Sequence, residues 1–128
     1  MNNSIILTVI AKDQPGIIQT VSSVLAKHGG SWSQSSMSTL AGQFAGILLA
    51  TVPEKEASRC LEDLRGLESK GLHVIAHRSS ETGTETDANQ YELELMGNDR
   101  PGIIHDITSI LANHGINVKD LETVVEGA

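Results

Sequence analysis

The sequence is poor in the residues that would tie the chain to a disulfide framework, to stacked bases or to a membrane. Its one cysteine, Cys60, cannot form an internal disulfide. Its aromatic residues are one Trp, one Phe and one Tyr, too few for a base-stacking platform. No apolar run approaches the roughly 20 residues of a membrane helix, and no secretory leader follows Met1. These absences predict a cytoplasmic protein.

Basic residues are also scarce. The chain carries 9 Lys and Arg against 16 Asp and Glu, which gives a formal net charge of -7. The basic residues are scattered singly along the sequence, so no cluster is available to neutralise a row of phosphates. We therefore expect no direct binding to nucleic acid and no contact with a membrane surface.

What the sequence does have is an internal repeat with an offset of 86 residues. Asp13-Gln14-Pro15-Gly16-Ile17-Ile18 recurs as Asp99-Arg100-Pro101-Gly102-Ile103-Ile104. Ten of the 17 aligned positions in residues 13–29 and 99–115 are identical, and each copy ends in His-Gly. A duplicated stretch of this length predicts two modules with the same fold.

Copy one follows the order β-α-β-β-α-β. Alternating apolar residues predict strands around residues 4–10, 32–39, 44–52 and 72–76, and the nearly continuous apolar run of the third strand indicates a central position. One helix has Ile18, Val21, Val24 and Leu25 at helical spacing, and a second begins near Pro53 and ends at Gly71. In the first strand, Ile6 and Thr8 are expected on the outer face. The fold class is α+β, with two helices on one face of a four-stranded antiparallel ferredoxin-like sheet.

Copy two is shorter than copy one. We predict module 1 over residues 1–78, a polar linker over residues 79–89 and module 2 over residues 90–128. Strands are expected over residues 90–96 and 119–125, on either side of a helix that carries Ile104, Ile107, Ile110 and Leu111. The sequence ends where copy one turns into its third strand. Module 2 is therefore expected to be truncated, or to be completed by another chain, and a dimer is favoured.

The motifs resemble those of the ACT domain, a small regulatory module that binds amino acids. The tandem pair of Asp-x-Pro-Gly-Ile-Ile turns is similar to that of the glycine cleavage system transcriptional repressor family. This resemblance implies an amino-acid-responsive co-regulator in the cytoplasm that contacts an activator protein rather than DNA. Glycine and serine are the ligands it favours, and a homodimer is the expected assembly.

The same resemblance implies where a ligand binds, namely where the strand-to-helix turn of one module meets a neighbouring module. Free N–H groups at the start of a helix suit an α-carboxylate, and an Asp or Asn side chain suits an α-ammonium. The candidate ligand-binding residues are Asp13, Gly16, Ile17 and Ser31 in copy one, and Asp99, Gly102, Ile103 and Asn117 in copy two. Ser31 departs from the Asn that the family places there.

Plainer interpretations remain open at this stage. Asp13 and Asp99 are also explained as helix N-caps. The alternative functions are a ligand-free dimerisation and interaction module, or a regulatory fragment of an amino-acid biosynthetic enzyme. His28 and His114 are expected to compensate the helix dipole, and Cys60 is expected to be a buried thiol. No catalytic arrangement, metal site or cofactor is predicted, and His73 and His77 stand too far apart on a strand to bind one ion.

Overall fold

A computed structural model describes residues 2–79 and 89–125 of the chain. The chain divides into two compact units, residues 1–86 and residues 87–128. The predicted linker over residues 79–89 lies almost wholly outside the described residues. The predicted module boundaries are compatible with this division but stay a prediction.

Unit 1 contains four strands and two helices. The strands are β1 (Asn2–Lys12), β2 (Ser31–Leu40), β3 (Gln43–Pro53) and β4 (Leu72–Arg78), and the helices are α1 (Ile17–Lys27) and α2 (Ala57–Arg65). A 3₁₀ turn precedes α2 at Glu54–Glu56, and another follows it at Gly66–Lys70. The strands form one antiparallel sheet in the order β2-β3-β1-β4. This is the ferredoxin-like order that the sequence predicts.

The core lies between one face of the sheet and the two helices. Ile5, Leu7 and Val9 of β1 are fully buried, while Ile6 and Thr8 between them lie on the opposite face, as predicted. The core face of the central strand β3 adds Leu48, Ala50 and Val52, each at most 1% exposed. Burial on this scale contributes about 25 cal/mol per Å² of apolar surface and accounts for the predicted alternation.

The two helices bury the residues that share one face, with one correction to the prediction. In α1 the buried residues are Ile17, Val21 and Leu25, while Ile18 is 47% exposed. The prediction that Ile18 faces the core is wrong, because Ile17 already occupies the position one turn before Val21 and Ile18 points about a quarter-turn away. In α2, Ala57, Cys60, Leu61 and Leu64 are buried, so Cys60 belongs to the core as expected.

Unit 2 contains one helix, α3 (Ile103–Asn113), within its described residues. Residues 90–96 and 119–125 were expected to be strands but take part in no strand pairing in the described part of the chain. A strand is held by hydrogen bonds to a neighbour, and residues 89–125 hold no third strand to lie between these two segments. No residue of α3 is buried. The helix of copy two therefore forms without the core that its apolar residues predict.

Candidate functional site

The turn between β1 and α1 is built on the Pro-Gly pair. Gly16 has φ +89° and ψ 3°, a left-handed conformation that residues with a Cβ rarely adopt. Together with Pro15 this matches a type II turn, which favours Pro and Gly at its two central positions. Gly102 repeats the geometry in copy two with φ +81° and ψ 3°. The Asp-x-Pro-Gly motif therefore forms the same turn in both copies.

The aspartates of the motif do not cap the helices. Within residues 2–79 and 89–125, no side chain caps the N-terminus of α1 or of α3, because the turn puts the left-handed glycine in the N-cap position. This corrects the interpretation of Asp13 and Asp99 as N-caps. The backbone N–H of Asp13 instead donates to the carbonyl of Gly42 over 2.9 Å, which ties the turn to the β2–β3 hairpin. The role of the Asp13 carboxylate is thus not capping.

A shallow groove lies beside this turn in unit 1. Its volume is about 370 Å³, and its lining consists of the motif, the start of α1 and the hairpin end of the sheet: Asp13, Gln14, Gly16, Ile17, Ile18, Gln19, Thr39 and Phe44. Phe44 is only 8% exposed and forms apolar lining. Three predicted ligand-binding residues, Asp13, Gly16 and Ile17, line the same groove. The exposed side chain of Ile18, which the sequence placed in the core, lines it as well.

The helix start at this groove has unused hydrogen-bond donors. The first backbone bond of α1 runs from the N–H of Thr20 to the carbonyl of Gly16, at 2.9 Å. The N–H groups that precede Thr20 in the helix have no partner inside it, because an α-helix leaves its first donors unpaired. In copy two the N–H of Ile103 donates to the Arg100 carbonyl over 3.4 Å. Ile103 is therefore a weaker candidate for binding a ligand than Ile17.

Ser31 and Asn117 are predicted to bind the same ligand as the turn residues of their own copies, but they lie far from those turns. Ser31 begins β2, whereas the hairpin that holds Asp13 follows the end of β2. Ten residues of strand span roughly 30 Å at about 3.3 Å per residue. In copy two, the length of α3, about 16 Å, separates Gly102 from the segment that contains Asn117. A single module cannot bring both groups to one small ligand, since the helix carries the chain to the opposite end.

A second polar site, which the sequence did not indicate, surrounds His28 at the end of α1. The imidazole is 6% exposed, its Nε2 lies 2.7 Å from Oδ2 of Asp63, and its Nδ1 lies 3.4 Å from Oε1 of Glu56. The hydrogen bond to His28 lowers the pKa of Asp63, and nearby Lys27 lowers it further. The prediction that His28 only compensates the helix dipole is incomplete, because its partners lie outside its own helix, Glu56 in the 3₁₀ turn before α2 and Asp63 in α2. The spacing of Glu56 and Asp63, two helical turns apart, is the signal that could have revealed them.

Cys60 belongs to α2 and lies between these two carboxylates in the sequence. Burial raises its thiol pKa to about 11, and the charges of Asp63 and Glu56 act in the same direction. A thiol with such a pKa is a poor nucleophile, in agreement with the expected structural role. Within the described ranges 2–79 and 89–125, no three side chains of the types that ligate metals come together.

Comparison with known proteins identifies the class of the chain. Residues 3–76 and residues 91–128 each match a family model described as the ACT domain. The chain therefore belongs to the ACT domain family and carries two copies of its domain. UPF0237 protein MK1213 of Methanopyrus kandleri is 38% identical over 73 residues, which is 55% of this chain and 81% of that protein.

Two solved structures support the same fold. A protein of unknown function from Galdieria sulphuraria has a TM-score of 0.74 and 23% identity, over 95% of this chain and 70% of that one. A candidate glycine cleavage system transcriptional repressor has a TM-score of 0.67 and 17% identity, over 90% of this chain and 68% of that one. No helix in the described part of the chain is long and apolar enough to span a bilayer.

Proposed function

We propose that this tandem ACT-domain protein is an amino-acid-responsive regulator that acts through contact with another protein. The observation that carries the proposal is the groove beside the Asp13-Gln14-Pro15-Gly16 turn. It combines an acidic side chain that does not cap the helix with N–H groups that have no partner inside α1. Its volume is at the low end of the roughly 300–1,000 Å³ of small-molecule sites.

The chemistry of the groove matches a free amino acid. The N–H groups at the start of α1 and the positive end of the helix suit the α-carboxylate, and the Asp13 carboxylate suits the α-ammonium. Phe44 and Ile17 offer an apolar surface to a short side chain. Glycine and serine remain the proposed ligands, because the groove is shallow and the polar groups carry the recognition.

The separation of Ser31 from Asp13 defines the assembly that such a site needs. Within unit 1 the groove holds only the Asp13 side of the predicted ligand set. We therefore propose that Ser31, or Asn117 in copy two, reaches the ligand from a second module, as the family resemblance implies. Asp99, Gly102 and Ile103 are proposed as the corresponding set in copy two.

The regulated partner is proposed to be a protein. A net charge of -7 repels phosphates, and the basic residues are scattered singly along the sequence, which favours a role in transcription through a regulator protein. The resemblance to the glycine cleavage system transcriptional repressor family supports a co-regulator of this kind, with no catalytic activity, in the cytoplasm.

The rival proposal is an interaction module that binds no ligand, and the open, shallow shape of the groove favours it.

Isothermal titration calorimetry with glycine, serine, alanine and threonine separates the two proposals. Glycine has five heavy atoms, so a ceiling of about -1.5 kcal/mol per atom limits its Kd to a few micromolar at best. We expect Asp13→Asn to weaken binding about tenfold or more while leaving the melting temperature unchanged, because Asp13 does not cap α1. The matched variant Asp99→Asn reports on copy two. If none of the four amino acids binds the unmodified protein, the ligand-free module is the correct function.

A further inference from the structure

The four strands of unit 1 carry no acidic residue. Residues 2–79 contain six Asp and Glu residues, which all lie in the β1–α1 turn or in the segment that contains α2: Asp13, Glu54, Glu56, Glu62, Asp63 and Glu68. The side chains of the strands are neutral or basic, although the whole chain has a net charge of -7. Negative charge in residues 2–79 is therefore confined to segments outside the sheet.

The face of the sheet that points away from the helices is apolar at its centre. Three strands form a block of nine positions, in which each residue of β1 lies between a partner on β3 and a partner on β4. We call this block the open face, and its three rows are Ala45, Ile10 and His73; Ile47, Thr8 and Ile75; and Leu49, Ile6 and His77. Six of these nine side chains are apolar. Ile10, Ile47 and Ile75 are 41%, 52% and 51% exposed, whereas a solvated face of an antiparallel sheet is normally polar.

Copy two has charged residues where copy one has this apolar surface. With the repeat offset of 86 residues, Ile6 and Thr8 correspond to Glu92 and Glu94, and both glutamates are exposed. The repeat therefore does not require apolar residues at these positions. Copy one carries an exposed apolar patch of the kind that marks interaction sites.

The apolar residues of the open face have a border of basic side chains. Lys12 follows Ile10 by two positions on β1 and so lies on the same face, and His73 and His77 lie at the β4 side. An ammonium group and imidazole N–H groups donate hydrogen bonds to carboxylates. At the outer edge, Oε1 of Glu68 lies 3.7 Å from Nδ1 of His73, which leaves His77 and Lys12 at the other corners of the border. The open face thus combines an apolar centre with donors for acidic groups.

We infer that the open face binds an acidic amphipathic helix of a partner protein. The block is about 13 Å long from Ile6 to Ile10 at roughly 3.3 Å per residue, which matches about three turns of helix. The apolar stripe of such a helix would cover the isoleucines, and carboxylates beside the stripe would reach Lys12 and His77. Because the rest of the chain repels acidic partners, the acid-free face is where one can approach. That the partner is a protein rests on the proposed function.

Other occupants suit the open face less well. A second copy of the chain would bring the same basic border against itself, with no acidic residue on the strands to pair with it. Attraction to an anionic bilayer grows with the number of Lys and Arg near the surface, and this border has one lysine, Lys12. A net charge of -7 opposes binding to such a bilayer as well. Charge complementarity therefore favours the acidic helix.

Fluorescence anisotropy with a labelled synthetic peptide tests the binding to the full-length protein. The probe is a helical peptide of about 14 residues with leucines spaced three and four apart and glutamates between them, and its control has lysines in place of the glutamates. We expect the glutamate peptide to bind at least about tenfold more tightly than the lysine peptide. Lys12→Gln should weaken binding of the glutamate peptide and leave the lysine peptide unaffected. The absence of binding by either peptide, or equal binding by both, overturns the inference.

Charge placed on the open face locates the contact. Ile47→Glu and Ile75→Glu each put a carboxylate among the apolar residues and should weaken binding of the glutamate peptide roughly tenfold or more. Ser23→Glu, at an exposed position of α1, adds the same charge elsewhere and should leave binding unchanged. Far-ultraviolet circular dichroism confirms that each variant is folded. Peptide binding that persists in both isoleucine variants contradicts the inference, because the contact then lies on another surface.

Two further measurements test the other occupants. A dimer in sedimentation equilibrium that dissociates in Ile47→Glu would identify a second copy as the occupant and overturn the inference. So would binding to phosphatidylglycerol vesicles that the same variant loses. Ile47 does not line the groove beside the Asp13 turn, so amino-acid titration of Ile47→Glu reports on that groove alone. Failure of the docking and failure of the proposed amino-acid site therefore give different results.

Discussion

The two copies of the repeated motif have nearly the same local geometry and very different surroundings. Both helices follow a left-handed glycine, Gly16 or Gly102, and both end at a histidine with φ near -100°. The same closing bonds recur, with Gly30 N–H to the Leu25 carbonyl at 2.8 Å and Ile116 N–H to the Leu111 carbonyl at 2.9 Å. Yet α1 buries three residues and α3 buries none. Local sequence therefore suffices for the helix and its ends, and burial depends on what packs against it.

The histidines at the helix ends show the same contrast. His28 is buried and contacts two carboxylates, Glu56 just before α2 and Asp63 within it. His114 is exposed, and its Nδ1 lies 2.9 Å from the carbonyl of Ile110 in its own helix. The histidine at this position of the motif thus connects α1 to α2 in unit 1, whereas in unit 2 it contacts a carbonyl of its own helix. The difference is the presence of α2.

Truncating the leucine near the end of each helix should give the largest difference between the copies. Leu25 is 2% exposed, so Leu25→Ala leaves a cavity and should lower the free energy of unfolding by about 2–5 kcal/mol. Leu111 is only half-buried, and Leu111→Ala should cost about 1 kcal/mol or less. Urea titration followed by circular dichroism measures both. Equal losses would show that α3 packs as tightly in solution as α1.

Exchanging the residues that follow the two His-Gly pairs should give an intermediate effect. A Cβ on Gly30 would lie 2.8 Å from Cγ1 of Val52 and 3.0 Å from the Leu25 carbonyl oxygen, whereas copy two has Ile116 at this position, 52% exposed. We expect Gly30→Ile to destabilise the protein by about 1–3 kcal/mol through overpacking. Ile116→Gly should change stability by about 0.5 kcal/mol or less. Thermal unfolding of both variants checks the pair, and an unchanged melting temperature for Gly30→Ile would contradict the close approach of β3.

The smallest effect is expected at the two histidines, and it should depend on pH. The folded chain lowers the pKa of Asp63 below its ordinary value of 3.8, chiefly through the bond from His28. Stabilisation by this carboxylate is therefore present above that value and is lost as the pH falls through the lower folded-state pKa. His28→Gln should weaken this acid sensitivity, and His114→Gln should leave it unchanged. Unfolding midpoints measured between about pH 6 and pH 2 test the difference. Parallel curves for the unmodified protein and His28→Gln would contradict it.

Much of unit 1 could be predicted from sequence because its signals are local. Alternating apolar residues in β1, the apolar run of β3 and the Pro-Gly turn each constrain a short segment by themselves. The prediction failed where two segments meet. The apolar spacing in α1 indicates one side of the helix but not which part of it the sheet covers, and it therefore predicts Ile18 in the core where the structure buries Ile17. The contact of His28 with Asp63 joins residues 35 positions apart. The seven-residue spacing of Glu56 and Asp63 puts the two carboxylates on one side of their segment, but the sequence does not indicate that His28 packs against that side.

The candidate site likewise has features that the sequence determines and features that only the tertiary structure determines. The identity of Asp13, Pro15 and Gly16 by itself determined a left-handed turn at the start of a helix, because only glycine adopts that conformation without strain. The tertiary structure alone decided what the turn faces. It tied Asp13 to the β2–β3 hairpin, placed Phe44 beside it and left Ser31 one strand length away. It also decided that β2 forms an edge, because the order of strands in a sheet depends on long-range hydrogen bonds rather than on the residues of any one strand.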